Sequence, residues 1–200
     1  MVQRCSGHEE EAPKWRAGLG FAAAQTHIVF DKAVELRELA ASATFEQHLS
    51  SKLTLSFGVG AVYAGTMVLP DLMKRFDLHG PTASVGVSGL LLEQKGAVPF
   101  VMIDGTVSGS AMFTTVDPIY ALDLRAGVVA GWSFFGWLTP YVVARVFGGP
   151  VFYASYVGGD ANHWQLGAGA SVRLPKNWDL LLEVVPLGEQ RAVLAVGYSY

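Results

Sequence analysis

The stretch KLTLSFGVGAVYAG, residues 52–65, alternates between two kinds of side chain. The large apolar set consists of Leu53, Leu55, Phe57, Val59, Ala61 and Tyr63. The small or polar set consists of Lys52, Thr54, Ser56, Gly58 and Gly60. A period of two indicates a β-strand whose two sets point to opposite sides of a sheet. The fold depends on which of these two sides faces the protein interior.

The composition favours a chain in contact with lipid. Hydrophobic residues make up 51% of the 200 residues and charged residues only 16%, against about 25% charged in ordinary soluble domains. The sequence has no run of about 18 apolar residues, which excludes a transmembrane helix. A β-barrel in a membrane reconciles these two facts, because its strands show only every second residue to lipid.

Charge and cysteine content narrow the remaining classes. The net charge is −3, and charges of neither sign run in blocks. The lysines and arginines therefore form no basic patch of the kind that nucleic-acid binding requires. Cys5 is the only cysteine, so an internal disulfide is excluded, and no motif assigns this residue a role. We predict a flexible polar tail at 1–13 and one barrel domain at 14–200. No signal peptide is present, and we interpret it as removed or omitted from this chain.

We predict an all-β, single antiparallel transmembrane barrel of about ten strands, with eight as the alternative count. The predicted strands are residues 15–26, 36–48, 52–66, 81–94, 98–113, 119–134, 137–152, 163–174, 178–185 and 191–200. Most of them reach the ~9–11 residues that a tilted membrane strand needs. The second strand is the least clear case, because its composition also suits a helix.

The connections alternate in length along the chain. Short turns occur at LSSK, QKGA, FFGW and LPKNW, and longer or more polar links such as SYVGGDAN and PLGEQ lie between them. Short periplasmic turns and longer extracellular loops are typical of bacterial membrane barrels. The longest loop, 67–80, is expected to form one or two helical turns. Its apolar residues are candidates for capping the lumen, touching the membrane or docking a protein partner: Leu69, Leu72, Met73 and Phe76.

Aromatic residues of the apolar set concentrate at the two ends of the predicted strands. Those at the short-turn end are Trp15, Trp132, Phe134, Trp178, Tyr198 and Tyr200. Those at the loop end are Tyr63, Phe113, Tyr120, Phe152 and Trp164. Two aromatic girdles around an aliphatic belt are typical of a membrane barrel, so we predict that the apolar set faces lipid. The alternative is a soluble, lipocalin-like barrel with the two faces exchanged.

Residues 15–200 resemble the small bacterial outer-membrane β-barrel proteins. The last strand, RAVLAVGYSY, alternates apolar residues and ends on the aromatic Tyr200, which is similar to the C-terminal signal read by the outer-membrane assembly machinery. The resemblance implies a location in the bacterial outer membrane, with lipid and this machinery as partners. Pro140 and Pro150 depart from the pattern, because proline removes a hydrogen-bond donor from the ladder.

Charged residues of the polar set predict the chemistry of the lumen. The candidate ion-pair layer consists of Asp104, Asp123, Arg125, Arg145, Arg173, Asp179 and Glu183. Folding the strands about their turns places Arg125 opposite Arg145, and Arg145 near Gly169. The same construction places Gly169 near Glu183, and Arg173 near Asp179. Such a layer is either a plug of paired, buried charges or the constriction of a narrow pore whose arginines favour anions.

We predict a non-enzymatic outer-membrane barrel with a charged, mostly plugged lumen and a structural or partner-binding role. Side chains just fill a barrel of about eight strands, which favours this plug. The alternative is a narrow passive channel for small, anionic solutes. A more distant alternative is a hydrolase at the outer rim, for which Asp160 and His163 are the candidate acid–histidine pair. No motif predicts a cofactor or a metal, and the acidic residues 8–11 are typical of a solvated tail.

Overall fold

The computed structural model describes residues 14–69 and 74–200, which form a closed antiparallel β-barrel. Its strands are β1 (Trp15–Val29), β2 (Ala33–His48), β3 (Leu53–Leu69), β4 (Lys74–Leu92), β5 (Phe100–Met112), β6 (Ile119–Gly131), β7 (Leu138–Gly148), β8 (Pro150–Tyr153), β9 (Tyr156–Asp160), β10 (Trp164–Arg173), β11 (Trp178–Gly188) and β12 (Gln190–Ser199). Within the described ranges, no helix is long and apolar enough to cross a membrane.

Ten of these strands form the main barrel, and the remaining two form a hairpin at one end. The order around the barrel is β1, β2, β3, β4, β5, β6, β7, β10, β11 and β12, and β12 pairs with β1 to close the ring. The predicted antiparallel barrel of about ten strands is therefore confirmed. The helical alternative for the second strand is wrong, because β2 pairs with β1 along nearly its whole length.

The exposed side chains identify the face that meets lipid. In β3 the side chain of Val59 is 65% exposed and that of Tyr63 58%, whereas the inward Thr54 is only 2% exposed. The same alternation continues around the barrel, with large apolar residues outside on every spanning strand. Water-soluble proteins do not expose such a continuous apolar belt. The apolar face of the 52–65 stretch therefore points outward, and the soluble alternative is wrong for the spanning section.

At the loop end the barrel narrows from ten strands to eight. β8 pairs with β6, β9 pairs with β8, and β9 then pairs with β1 at Ile28 and Val29. This arrangement bypasses β11 and β12, whose connection at this end is the single residue Glu189. A second closed ring results, formed by β1, β2, β3, β4, β5, β6, β8 and β9. We call this ring of eight strands the rim.

The polarity of the wall reverses in the part of the rim formed by β1–β4. Here Leu36 and Leu78 are buried inside, while Arg37 and Asp77 are exposed outside. A row of outward polar residues follows the strand register through Gln190, Gln25, Arg37, Thr66 and Asp77. Charged residues on the outer face and apolar residues within are the pattern of a barrel surrounded by water. The rim on this side therefore stands above the hydrocarbon layer.

Several predicted connections are strands in the structure. β4 begins at Lys74, so the helical turns expected over 70–80 are wrong for the described part, and residues 70–73 lie outside the described residues, as does the tail at 1–13. The link SYVGGDAN contributes to the β8–β9 hairpin, and PLGEQ is a tight turn. Pro140 lies within β7 opposite Ala170, and Pro150 begins β8 after two glycines.

Candidate functional site in the barrel lumen

The interior of the rim is filled by an apolar cluster. Its buried members are Ile28, Val34, Leu36, Val62, Met67, Leu78, Met112, Ile119 and Val151. Every one of them belongs to a strand of the rim, and none comes from β7, β10, β11 or β12. The side chains of an eight-stranded ring are just sufficient to fill its interior. The narrowing of the barrel therefore explains why this end holds a packed core.

Two of the loop candidates for partner contact belong to this interior. Leu69 and Phe76 are partly buried and pack against the apolar cluster. They lie on paired strands, β3 and β4, and not in a loop. Their position is the one that capping of the lumen requires. Leu72 and Met73 lie outside the described residues.

Below the rim, Arg145 of β7 binds carboxylates from two other strands. Its Nη1 and Nη2 donate to Glu183 Oε1 and Oε2 at 2.6 and 3.1 Å, and its Nε lies 3.9 Å from Asp104 Oδ2. Tyr141 donates from its hydroxyl to Glu183 Oε2 at 3.1 Å. Glu183 is buried, so the bidentate pair and the phenol together satisfy a carboxylate that would otherwise be costly to bury.

Arg125 of β6 forms a separate group nearer the rim. Its Nε donates to Asp123, and its Nη2 donates to Glu189 Oε2 at 2.9 Å. Gln165 of β10 donates to the same Glu189 oxygen at 2.6 Å. The guanidinium carbon also lies 5.1 Å from the ring centre of Phe147, within the range of a cation–π contact. Glu189 thus links the β11–β12 turn to β6 and β10.

The observed register separates the two arginines that the sequence placed opposite each other. Arg145 pairs with Gly127, and Arg125 with Phe147. The displacement arises at the β6–β7 turn, where Phe134 bridges to Leu138 with three residues between them. Gly127 is required there, because a Cβ at this position would lie 2.7 Å from Arg145 Cγ.

The predicted register of β10 is wrong against β7, but the predicted register against β11 is observed. Arg145 pairs with Gln165, not with Gly169, because the β8–β9 hairpin turns at residues 154–155. Gly169 pairs with Glu183 as expected, but the space that it leaves holds the Tyr141 ring, since a Cβ would lie 2.5 Å from that ring. Arg173 pairs with Asp179 in the backbone register.

A third group of charges lies at the short-turn end. Arg16 of β1 donates from Nε and Nη2 to Asp179 at 2.9 and 2.5 Å, and from Nη1 to Glu46 at 2.8 Å. Asp179 was among the predicted lumen residues, whereas its partner Arg16 and Glu46 were not placed in the layer. Both could have been found, because Arg16 and Glu46 share the inward phase of their strands and pair directly in register.

Four residues in the middle of the lumen were not placed in the predicted ion-pair layer, although Gln165 has the inward phase of its strand. These are Glu38, Gln165, Glu189 and Arg191. Arg191 had a usable signal, since it precedes the outward Ala192 by one residue and must point inward. Glu189 had no such signal, because it lies in a predicted loop, where the alternation of side chains does not indicate which way a residue points. The resulting network places carboxylates, guanidiniums and an amide from β2, β5, β6, β7, β10, β11 and β12 in one interior.

Two predicted aromatic bands lie on the outer surface at opposite ends of the spanning strands. At the short-turn end Trp178 packs against Tyr198 with ring centres 5.2 Å apart, and Trp15 stacks on Phe45 at 5.1 Å. Trp132, Phe134 and Tyr200 are also exposed there. At the loop end the exposed rings are Tyr63, Phe113, Tyr120, Phe152 and Trp164. Such bands lie at the depth of the lipid headgroups in membrane barrels.

Several solved structures with a similar architecture are bacterial membrane barrels. The COG4313 outer membrane channel from Pseudomonas putida F1 aligns over 100% of both chains with a TM-score of 0.55 and 9% identity. The chain has the fold of a bacterial outer-membrane β-barrel. The translocator domain of the autotransporter NalP from Neisseria meningitidis aligns over 97% of this chain and 91% of its own, with a TM-score of 0.50 and 11% identity.

A third neighbour of this outer-membrane fold is the beta domain of the Bordetella autotransporter BrkA. It aligns over 94% of this chain and 99% of its own length, with a TM-score of 0.52 and 13% identity. No protein-family model matches the sequence, and no curated protein matches it either. These neighbours are channels and translocator domains, and at such low identity the likeness extends to the fold alone.

The candidate hydrolase pair lies where the outer-membrane barrel meets its rim. Asp160 ends β9, outside the ten spanning strands, and interacts electrostatically with His163, Asp123, Glu189 and Arg125. Burial, reinforced by the carboxylates of Asp123 and Glu189, raises the pKa of Asp160 to about 6. Asp160 therefore belongs electrostatically to the lumen network. Within the described residues, no group of three or more His, Cys, Asp or Glu side chains is arranged to hold a metal ion.

Proposed function

We propose that this protein is an outer-membrane barrel that is closed at rest and has a structural or partner-binding role in the cell envelope. The observation that carries the proposal is the apolar cluster inside the rim. Met67 and Ile119 are each 1% exposed and both belong to this cluster, which fills the interior of the rim with apolar side chains. Hydrophobic constrictions stop ion flow by excluding water. The ion-pair groups below the rim narrow the lumen further but are polar.

The proposal is tested by conductance of the refolded protein in planar lipid bilayers. Wild type is expected to give no steady current. The double variant Met67→Ala, Ile119→Ala removes side chains from β3 and β6 on the inside of the rim, and it is expected to give discrete open steps. A matched control, Val59→Ala with Leu122→Ala, shortens lipid-facing residues of the same two strands and is expected to stay silent. A wild type that conducts like the double variant contradicts the proposal.

We also propose that the outer-membrane assembly machinery recognises β12, the strand that closes the barrel. β12 pairs with β11 on one side and with β1 on the other. The terminal Tyr200 exchanges backbone hydrogen bonds with Trp15 at 3.0 and 3.2 Å. Tyr200→Ala is expected to reduce the amount of protein inserted in bacterial outer membranes and to leave refolding in detergent unchanged. Equal insertion of the variant and wild type would contradict this role.

A further inference from the structure

The lumen, from its middle to the base of the rim, carries more carboxyl groups than guanidinium groups. The guanidiniums there are Arg125, Arg145 and Arg191. The carboxylates that interact with them are Glu38, Asp104, Asp123, Asp160, Glu183 and Glu189. In a narrow space with low-dielectric walls, an imbalance of this kind sets the sign of the potential that a solute experiences. The interior is therefore electronegative below the rim.

Two of the arginines are already bound to carboxylates. Arg145 is held by both oxygens of Glu183, and Arg125 bridges Asp123 and Glu189. A guanidinium whose N–H groups are directed at carboxylates has few donors left for a passing anion. These arginines therefore act mainly as internal counter-ions of the wall.

The buried polar atoms without a hydrogen-bond partner are mostly oxygens. In the described part of the chain they are Asp104 Oδ1, Asp123 Oδ1, Gln165 Oε1 and Arg191 Nε. The orientation of the Gln165 amide is fixed, because its nitrogen donates to Glu189, so its oxygen is the free acceptor. Gln165 is only 2% exposed. A buried acceptor lacking a donor is satisfied by a cation or by the hydrogens of water.

We propose that the lumen is a path for monovalent cations, lined by the oxygens of Asp104, Asp123 and Gln165 and gated by the apolar rim. The inference rests on the proposed closure of the rim and adds to it the class of solute that passes when the rim opens. Carboxylate-lined constrictions favour cations over anions. The expectation that the arginines would select anions is replaced, because that expectation assumed arginines free of carboxylate partners.

The test uses the rim-opened variant Met67→Ala, Ile119→Ala in a planar bilayer that separates two solutions of different KCl concentration. The reversal potential is expected to show K⁺ passing about threefold or more readily than Cl⁻. Adding Asp104→Asn and Asp123→Asn is expected to reduce this preference, and adding Arg191→Gln is expected to increase it. Asp77→Asn, an exposed residue on the outside of β4, is the matched control and is expected to leave the preference unchanged.

A preference for Cl⁻, or a K⁺ preference unaffected by the two Asp→Asn changes, would overturn the inference. A second route to an open lumen is replacement of residues 150–160 by a short glycine-containing turn, which removes β8 and β9 from the rim. If both openings remain silent although the protein is folded, the cation path is refuted. A wild type that conducts K⁺ selectively would instead refute the closure of the rim and leave the selectivity standing, so the two failures are distinct.

Discussion

Glu183 and Glu93 both bind a basic side chain, but their surroundings differ. Glu183 is 7% exposed and is held by Arg145 and Tyr141 inside the barrel. Glu93 lies near the β4–β5 turn with a side chain 52% exposed, and its oxygen is 3.5 Å from Lys52 Nζ. Removing one partner of a buried pair leaves an uncompensated charge, whereas an exposed pair is screened by water.

We therefore expect Glu183→Ala to lower the free energy of unfolding by about 3–5 kcal/mol, because Arg145 loses its main partner. Glu93→Ala, the matched control, is expected to change it by at most about 1 kcal/mol. The measurement is urea unfolding of the refolded barrel in detergent or lipid. A similar small effect for both variants would indicate that water solvates Arg145 in the lumen.

The raised pKa of Asp160 makes the charge of the lumen depend on pH. With a pKa of about 6, this carboxyl is ionised above pH 6 and neutral below it. The groups that act on it are Asp123, Glu189, Arg125 and His163. In the rim-opened variant, we expect the preference for K⁺ over Cl⁻ to decrease as the pH falls from about 7.5 to 5. Asp160→Asn is expected to weaken this dependence, and an unchanged dependence would remove Asp160 as a contributor.

At the scale of the strand, one element can present two environments. β3 exposes apolar Val59 in its spanning part, whereas beyond Tyr63 it places Thr66 outside and Met67 inside. The register shift between Val62 and Gly65 occurs at this transition. Where a strand leaves the hydrocarbon layer, its outward side chains therefore contact water and no longer contact lipid.

The two environments of β3 predict opposite tolerances to charge. Val59→Arg places a guanidinium on the lipid face and is expected to cost about 2–4 kcal/mol of folding free energy in a bilayer. Thr66→Arg adds the same group in the polar row and is expected to cost about 0–1 kcal/mol. Folding titrations in phospholipid vesicles measure both. Equal costs would place the hydrocarbon boundary beyond Thr66.

The alternation of side chains was sufficient to predict the spanning strands, but not the rim. Arg37 is an exception to the inward phase of strand-borne charges, and its outward position belongs to the reversed polarity of the rim. The segment KRFDLHG has the same reversed alternation, with Phe76 and Leu78 inside. The positions of Pro70 and Gly80 favoured helical turns in a long loop, so this alternation was not used to predict a strand.

The ion pairs were harder to predict than the strands, because they depend on register. Asp123 beside Arg125 could be read from one strand, whereas Glu189 reaches Arg125 from a turn whose conformation the sequence left open. Each shift of two residues between β6 and β7 replaces Gly127 by another partner for Arg145. Three-residue turns and the β8–β9 hairpin, which set these shifts, carry no signal in the alternation itself.

For the whole molecule, the rim and the ion-pair groups stand in series along one path. Removing Arg145 widens the polar section but leaves the apolar cluster in place, so Arg145→Ala alone is expected to remain silent in bilayers. Combined with Met67→Ala and Ile119→Ala, it is expected to give larger current steps than the rim variant alone. Single-channel recording decides between these outcomes. Steady current from Arg145→Ala alone would assign the seal to the ion pairs.

The loss of two strands between the barrel wall and the rim also gives the molecule a tapered outline. Because barrel diameter grows roughly linearly with strand number, the rim is about four-fifths as wide as the ten-stranded section. The protein is thus a truncated cone, and its narrow end is the one that stands above the hydrocarbon layer on the β1–β4 side. A large soluble molecule that approaches from that side meets the smallest cross-section of the barrel first.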